Sequence, residues 1–440
     1  MKRSSQHSTY TPTDAWSWSV RLLERWLTGT ERVDWLLESL PTNLSGGERA
    51  RVQALLLGAV RHLGRIQAEL ARLVNRPPRS VVEAALIIAG AEMLDAGDQS
   101  GLGPKVAHHL VERLKTLASA KEAGFANAVG RKLVAALTAP RSEPCEQDDL
   151  SVWEEYYSHP AWLIVRWREQ FGDKETRALL QNNQMPAGVI LRRRMAPDAT
   201  AVDWPDWLTP VEQTPEFFTA APGHWPELHA LIDSGAVHVQ DAATRLAIDL
   251  LEPKSGETVL DLCAAPGGKS LAMADRMQTG KIVAFDMPGR RMPRLKESLE
   301  RVPTGVEAVI VTGNLLQGGE RALEAAQQPV TYSAVLIDVP CSNSGVMRHR
   351  VDVKWRLQSE SFQRHASQQL DLLVAAAARV APGGRLIYST CSIDREENEQ
   401  VVEAFLKQSE DAFELETSAT SLPWQTGYDG AAAFRLRRTA

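Results

Sequence analysis

The chain has 440 residues, of which 44% are hydrophobic and 24% are charged, and its formal net charge is −6 at pH 7. This length predicts two or three domains, and the composition is typical of soluble globular proteins. No apolar run approaches the roughly 20 residues that span a bilayer, and the polar segment Met1–Thr13 lacks the apolar core of a secretory signal. These features exclude a membrane partner and favour a cytoplasmic protein with a short polar lead-in.

The four cysteines are widely scattered along the chain, at positions 145, 263, 341 and 391. Their spacing fits neither a metal site nor a disulfide framework, which indicates a reducing compartment and no bound metal. Residues 1–140 carry 18 Lys and Arg against 13 Asp and Glu on a chain that is acidic overall. This basic portion is a weak indication of a polyanionic partner, although a solvated helix surface would look the same.

The N-terminal part of the chain shows apolar residues at helical spacing throughout residues 14–138. Few segments there are rich in β-formers, so the pattern predicts an all-α domain of five or more helices. A polar stretch with two prolines, residues 139–149, is interpreted as a linker.

Residues 150–240 are predicted to form a small α+β domain that connects the two larger ones. A strand runs into three consecutive arginines, Arg192, Arg193 and Arg194, and is followed by several Trp and Phe residues. Arginines beside aromatic rings suit phosphate contact and base stacking, so this segment is a candidate for gripping RNA. Edge-strand charges over an aromatic core are the equally weighted alternative. His238, in a second short strand, is interpreted as structural.

From Asp241 onward, predicted strands and helices alternate to the end of the chain, which indicates a doubly wound α/β sheet. Its first strand, Thr258–Leu262, runs into a turn of small residues that opens a helix. The turn consists of Cys263, Ala264, Ala265, Pro266, Gly267, Gly268 and Lys269. It lacks the dinucleotide fingerprint, and Cys263 stands where a P-loop has its first glycine. The segment is interpreted as a loop for a nucleotide-like ligand, with a plain strand–turn–helix corner as the alternative.

Polar residues stand at or just beyond the carboxyl ends of the following strands, where such a fold places its site. Asp286, Asn314, Asp338 and Cys391 occupy these positions, and Cys341 comes three residues after Asp338. Two cysteines beside a carboxylate indicate chemistry rather than packing, and a redox disulfide is the alternative.

Three motifs in order give the chain a specific resemblance. They are Asp-Leu-Cys-Ala-Ala-Pro-Gly-Gly-Lys (261–269), Asp-Val-Pro-Cys-Ser (338–342) and Ser-Thr-Cys-Ser (389–392). Together they resemble the RNA cytosine-5 methyltransferases of the Sun/Fmu group. The helical block resembles the NusB-like RNA-binding domain of the bacterial small-subunit rRNA members, the RsmB type. The resemblance implies a Rossmann-like S-adenosylmethionine-dependent methyltransferase domain over residues 241–440, preceded by a NusB-like domain and the small α+β segment.

The resemblance also implies roles for individual residues. Cys391 would be the nucleophile that adds to C6 of cytosine, and Cys341 would assist product release. Asp338 would contact the N3/N4 edge of the base, and Lys269 would lower a thiol pKa or neutralise cofactor charge. S-adenosylmethionine would lie along Cys263–Lys269 and Asp338, with Asp286 on the ribose hydroxyls and Asn314 at the adenine. The family usually has Asp in place of Asn314, and Lys354 matches a family lysine near the active site.

The leading hypothesis is methylation of cytosine C5 in small-subunit (16S) rRNA by a monomeric enzyme. A tRNA cytosine-C5 methyltransferase is the near alternative. A DNA-type enzyme would use Cys341 as the nucleophile, and a non-catalytic RNA-binding assembly factor that retains the fold is the alternative from another class.

Overall fold

A computed structural model describes residues 12–96, 102–194 and 204–439. Most of the predicted lead-in therefore lies outside the described residues. The helices, in chain order, are α1 Ala15–Thr28, α2 Val33–Glu38, α3 Gly46–Arg61, α4 Leu63–Leu73, α5 Ser80–Ala96, α6 Leu102–Leu117, α7 Ala120–Thr138, α8 Leu150–Tyr157, α9 Ala161–Gln184, α10 Trp225–Asp233, α11 Arg245–Leu251, α12 Gly268–Met277, α13 Met292–Leu299, α14 Gly319–Ala325, α15 Val353–Arg356, α16 Ser359–Ala377, α17 Glu399–Gln408 and α18 Pro423–Thr426. The strands are β1 Val189–Arg193, β2 Leu208–Val211, β3 Thr214–Ala220, β4 Val237–Val239, β5 Thr258–Leu262, β6 Gly280–Asp286, β7 Val306–Thr312, β8 Tyr332–Asp338, β9 Val380–Thr390, β10 Phe413–Ser421 and β11 Ala431–Arg438.

The chain divides into two compact units. The helical unit comprises Met1–Pro186 and Met347–Arg356, and the sheet unit comprises Ala187–Val346 and Leu357–Ala440. This division differs from the predicted domains, because residues 150–186 pack with the preceding helices rather than with the strands that follow. The Ser158 hydroxyl at the end of α8, for example, accepts a 2.8 Å hydrogen bond from the backbone N–H of Gly64.

The helical unit has the amphipathic helices that its apolar spacing predicts. Capping boxes start α1, α3 and α7, with Asp14, Ser45 and Ser119 as the N-caps. Each satisfies N–H groups that the first turn of a helix leaves without an acceptor. Apolar side chains from α1 to α7 then fill one core, among them Val20, Leu56, Ile66, Ile88 and Leu133.

Residues 347–356 belong to the helical unit, although the residues before and after them in the sequence belong to the sheet unit. Val351 joins the core of that unit, and the indole Nε1 of Trp355 donates a 2.8 Å hydrogen bond to the Val60 carbonyl. The segment stands between β8 and α16 in the sequence, so residues that lie between two elements of the sheet unit belong to the helical unit.

The sheet unit contains a seven-stranded sheet in the order β10-β11-β9-β8-β5-β6-β7. Strands β9, β8, β5, β6 and β7 are parallel, whereas β10 and β11 are antiparallel additions at one edge. Helices α11, α12 and α13 cover one face, and α14, α16 and α17 cover the other. The predicted Rossmann-like fold class is thus confirmed, and the carboxyl ends of the parallel strands face one edge.

A smaller antiparallel sheet, in the order β2-β3-β1-β4, belongs to the same unit. Its apolar face packs around Leu191, Leu208 and Phe218. Among the described helices, none combines the length and apolar character needed to cross a membrane.

Candidate active site

The loop from β5 to α12 contains two residues whose backbone φ angle is positive. Cys263 has φ +59° and Gly267 has φ +101°. A Cβ at Gly267 would lie 2.7 Å from the Cβ of Ser298, so α13 leaves room only for glycine. The result is a turn whose backbone a ligand can approach, ending at the N-terminus of α12.

Lys269 and Asp338 meet above the sheet as an ion pair. Lys269 Nζ lies 2.8 Å from Asp338 Oδ2, and the hydroxyl of Ser389 donates a 2.7 Å hydrogen bond to Asp338 Oδ1. Burial lowers the pKa of Lys269, but the charge of Asp338, its hydrogen bond to Lys269 and the nearby Cys391 and Asp261 together outweigh burial. The pKa of Lys269 therefore lies above its ordinary value. The Lys269 side chain is therefore protonated beside the Asp338 carboxylate.

The two predicted catalytic cysteines lie side by side. Their Sγ atoms are 3.1 Å apart, and Cys391 Sγ is 3.5 Å from Asn343 Oδ1. The hydrogen bond to Cys391 and the burial of Cys341 raise the pKa of the Cys341 thiol well above its usual range. At neutral pH the Cys341 thiol therefore keeps its proton.

Buried Glu397, which the sequence analysis did not single out, holds the loop that carries Cys341. Its carboxylate accepts hydrogen bonds from the Ser342 backbone N–H at 2.8 Å and from Gln369 Nε2 at 3.0 Å. Its own carbonyl accepts a 2.6 Å hydrogen bond from the Tyr388 hydroxyl. Sequence reasoning had no signal for this, because the three partners lie on separate elements.

Two cavities of the sheet unit adjoin these residues. The smaller, about 60 Å³, is lined by Lys269, Asp338, Ser389 and Cys391, among others. The larger, about 450 Å³, is lined on one side by Cys263, Ala264, Ala265, Pro266, Gly268 and Lys269. Asp338 lines both cavities, so the space along the glycine-rich loop adjoins the space beside the nucleophile candidate.

Asp261, at the bottom of the larger cavity, is a further residue that sequence reasoning missed. Its side chain is fully buried and accepts a short hydrogen bond from the Ser270 hydroxyl. Burial raises the pKa of Asp261 to about 7. An acid in the middle of a buried strand was a detectable signal, because such positions are normally apolar.

Asp286 and Asn314 stand at the ends of β6 and β7, as predicted. Asp286 Oδ2 accepts a 2.7 Å hydrogen bond from the Ala265 N–H, which ties it to the glycine-rich loop. Asn314 Oδ1 accepts a 3.0 Å hydrogen bond from the Leu316 N–H within its own turn. Neither residue lines the larger cavity.

The prediction that the arginine strand grips RNA is wrong for Arg192 and Arg194. Both are buried and form ion pairs of 2.8 and 2.6 Å with the buried carboxylate of Asp275 on α12. Because side chains alternate along a strand, Arg193 points the other way and is exposed, with its guanidinium 5.3 Å from the Trp204 ring centroid. RNA contact by Arg193 stays a prediction.

Lys354 belongs to the helical unit. Its side chain is buried, and Nζ donates a 2.8 Å hydrogen bond to the carbonyl of Arg61 at the end of α3. Burial and the nearby Arg61 charge lower the pKa of Lys354 well below its ordinary value. The structure thus gives this lysine a packing partner within the helical unit.

The donor set fits S-adenosylmethionine. Gly267 and Gly268 leave the backbone open, the start of α12 favours a carboxylate, and Asp286 offers acceptors for a ribose diol. No metal ligand set is required for this ligand.

Comparisons with known proteins give matches to two family models and to curated relatives. Residues 248–435 match the model of the 16S rRNA methyltransferase RsmB/F family, and residues 17–135 match the NusB family. The ribosomal RNA small subunit methyltransferase B of Yersinia pseudotuberculosis is 29% identical over 402 residues, which cover 88% of this chain and 89% of the relative.

Solved structures show the same fold. The crystal structure of PH0851 superposes with a TM-score of 0.72 at 23% identity, covering 98% of this chain and 100% of its own. A methyltransferase homologue from Pyrococcus horikoshii gives a TM-score of 0.54 at 22% identity, covering 65% of this chain and 97% of its own. NSun6 from the same organism, solved with the S-adenosylmethionine analogue SFG, gives 0.50 at 16% identity and covers 64% and 98%.

Proposed function

We propose that residues 248–435, which match the RsmB/F family model, form an S-adenosylmethionine-dependent methyltransferase domain that follows a NusB-like domain, and that the protein methylates C5 of a cytosine in small-subunit rRNA. The contact of Cys391 with Cys341, beside the Lys269–Asp338 ion pair, is the observation that carries this proposal. Cytosine C5 is a poor nucleophile, and this group of side chains supplies what the ring needs to become reactive.

In the proposed mechanism, the Cys391 thiolate adds to C6 of the target cytosine, and the electron pair of the C5–C6 double bond makes C5 nucleophilic. Asp338 contacts the N3/N4 edge, and the Lys269 ammonium beside it stabilises the negative charge that develops on the ring. S-Adenosylmethionine, held along Cys263–Lys269, would supply the methyl group that C5 takes up, with S-adenosylhomocysteine as the leaving group. Elimination then restores the aromatic ring: the C5 proton passes to a water molecule, and the Cys391 sulfur leaves C6 as a thiolate. The Cys341 thiol, 3.1 Å from that sulfur, donates a hydrogen bond that stabilises the departing thiolate.

A base inside a duplex cannot reach two thiols in a cavity of the sheet unit. We therefore expect a single-stranded or flipped-out cytosine as the substrate. The NusB-family helices would contribute RNA binding. The expectation of a cytoplasmic monomer stays a prediction, and light scattering coupled to size-exclusion chromatography tests the oligomeric part.

The deciding experiment compares wild type, Cys391→Ala and Cys341→Ala with labelled S-adenosylmethionine and small-subunit rRNA, followed by denaturing electrophoresis. Cys145→Ala is the matched control, because Cys145 is an exposed cysteine outside the site. We expect labelled RNA with wild type and the control, none with Cys391→Ala, and a protein–RNA adduct with Cys341→Ala.

Other outcomes select the alternatives. Activity that survives Cys391→Ala but not Cys341→Ala would assign the nucleophile to Cys341. Label on tRNA but not on rRNA would change the substrate. Cofactor binding without methylation of any RNA would favour a non-catalytic assembly factor.

A further inference from the structure

The side chain of Asn343 lies between the two cysteines of the candidate active site. Its Oδ1 atom is 3.5 Å from Cys391 Sγ, and its Nδ2 donates a 2.8 Å hydrogen bond to the backbone carbonyl of Cys341. The proposed mechanism gives this residue no part. Its contact with the sulfur of the proposed nucleophile makes it a candidate for one.

The hydrogen bond to the Cys341 carbonyl fixes the orientation of the Asn343 amide. A carbonyl oxygen can only accept, so the NH2 group faces Cys341 and the amide oxygen faces Cys391. The Cys341 thiol keeps its proton and lies 3.1 Å from Cys391 Sγ, so it can donate to that sulfur. The Cys391 thiol in turn donates to Asn343 Oδ1. These contacts form a closed ring of hydrogen bonds through the two thiols and one amide.

The backbone on both sides of Asn343 is held without help from its side chain. The Ser342 N–H donates a 2.8 Å hydrogen bond to the buried Glu397 carboxylate. The Gly345 N–H donates a 3.0 Å hydrogen bond to the carbonyl of Cys391. The loop that carries Asn343 is therefore fixed against the loop that carries Cys391, and the amide has a defined position relative to the sulfur.

Asn343 contacts the sulfur from outside the smaller cavity. Among the described residues, the lining of that cavity includes Lys269, Asp338 and Cys391. The same set of described lining residues does not include Asn343. The amide can therefore restrict rotation of the Cys391 side chain without filling the cavity beside it.

The backbone conformation offers a second reason for an asparagine at this position. The φ angle of Asn343 is +64°, a left-handed value that asparagine adopts more readily than most residues. Glycine would meet this backbone requirement equally well, but it would make neither side-chain contact. A glycine substitution therefore separates the two explanations.

We propose that Asn343 is a positioning residue for the nucleophile: its amide oxygen fixes the rotation of the Cys391 side chain and holds the sulfur beside Cys341, at the edge of the smaller cavity. This inference rests on the proposed function, because Asn343 acts only through the Cys391 thiol. A sulfur that is already oriented loses less rotational freedom when it adds to C6 of the base, which lowers the barrier to adduct formation.

Asn343→Gly tests the contribution to the reaction. We expect the single-turnover rate constant for methylation of a small-subunit rRNA transcript to fall about tenfold or more, and the dissociation constant for that RNA to stay within about twofold. Asp411→Gly is the matched control, because Asp411 is exposed and has a φ of +65°, so glycine relieves the same backbone conformation there. The control should keep the wild-type rate.

Asn343→Asp tests the contact with Cys391 in the full chain without RNA or cofactor. The carboxylate keeps the size of the side chain but cannot donate to the Cys341 carbonyl, and its negative charge disfavours a thiolate at Cys391. We expect iodoacetamide to alkylate Cys391 about tenfold more slowly or less at pH 8, with unchanged alkylation of Cys145 in the same sample. Asn75→Asp, at an exposed position of the helical unit, should leave both rates unchanged.

Melting curves establish that each variant is folded, and the two substitutions test the inference independently. A wild-type methylation rate in Asn343→Gly would show that the asparagine serves only the left-handed turn, which overturns the inference. Unchanged alkylation of Cys391 in Asn343→Asp overturns it as well. If wild type methylates no rRNA but Asn343→Asp slows alkylation of Cys391, the proposed function fails while the positioning of the Cys391 thiol by Asn343 stands.

Discussion

Cys341 Sγ lies 3.1 Å from Cys391 Sγ. The two cysteines lie on loops that follow the neighbouring parallel strands β8 and β9. At this distance, a negative charge on one sulfur disfavours a second negative charge on the other. The hydrogen bond and burial raise the pKa of Cys341, so this thiol keeps its proton at neutral pH.

This pairing predicts an order of alkylation by iodoacetamide at pH 8. Exposed Cys145 should react first and half-buried Cys391 second. Cys341 should react slowly because burial and its raised pKa keep it protonated, and Cys263 likewise because burial raises its pKa. Mass spectrometry of peptides over time gives the rates, and the urea-unfolded protein, where all four should react alike, is the control. Alkylation of Cys341 ahead of Cys391 would contradict the assignment.

Lys269→Met should lower the rate constant of methyl transfer by about 100-fold or more, because it removes the positive charge beside Asp338 where the base is activated. Single-turnover methylation of rRNA measures this step. Lys407→Met, on an exposed position of α17, is the control and should keep wild-type activity. A Lys269→Met protein with more than a tenth of the wild-type rate would remove Lys269 from the mechanism.

Asp275→Ala should destabilise the protein by about 3–5 kcal/mol, because it leaves the buried Arg192 and Arg194 without their carboxylate. Glu307→Gln breaks the exposed ion pair with Lys281 and should cost less than about 1 kcal/mol. Urea unfolding followed by circular dichroism compares the two variants. Equal losses of stability in the two variants would show that the buried ion pairs contribute no more than the exposed one.

Lys354→Met should remove part of the pH dependence of stability. The pKa of Lys354 in the folded chain lies well below its ordinary value of 10.5, so between the two values the unfolded chain binds the extra proton. Stability of the wild type should therefore rise with pH across that window, by at most about 1.4 kcal/mol per pH unit.

Within this window, Lys354→Met should be more stable than wild type, and the difference should shrink as pH approaches 10.5. Urea midpoints at pH 7, 8 and 9 measure it, with the exposed Lys115→Met as the control. Parallel curves for wild type and Lys354→Met would mean that the buried amine keeps its charge.

Much of the catalytic fold was predictable because its signals are local. The apolar run at Thr258–Leu262 became β5 with the predicted bounds. Parallel strands in alternation with helices place their carboxyl ends along one edge. That rule predicts that Lys269, Asp338 and the two cysteines lie close together.

The burial of the arginines at the end of β1 could not be predicted from the sequence. Their charges suggested a surface for RNA, but Asp275, 81 residues after Arg194, buries two of the three arginines. Strand alternation alone would have separated Arg193 from its neighbours, but it cannot show which face is covered.

The sequence by itself determined the fold class and named the residues that are proposed to react, because periodicity and residue chemistry act over short distances along the chain. The tertiary structure decided which charges are buried and that residues 347–356 belong to the helical unit. These outcomes depend on pairs far apart in sequence, such as Arg192 with Asp275 and Lys354 with Arg61, whose contacts arise only when the whole chain has packed.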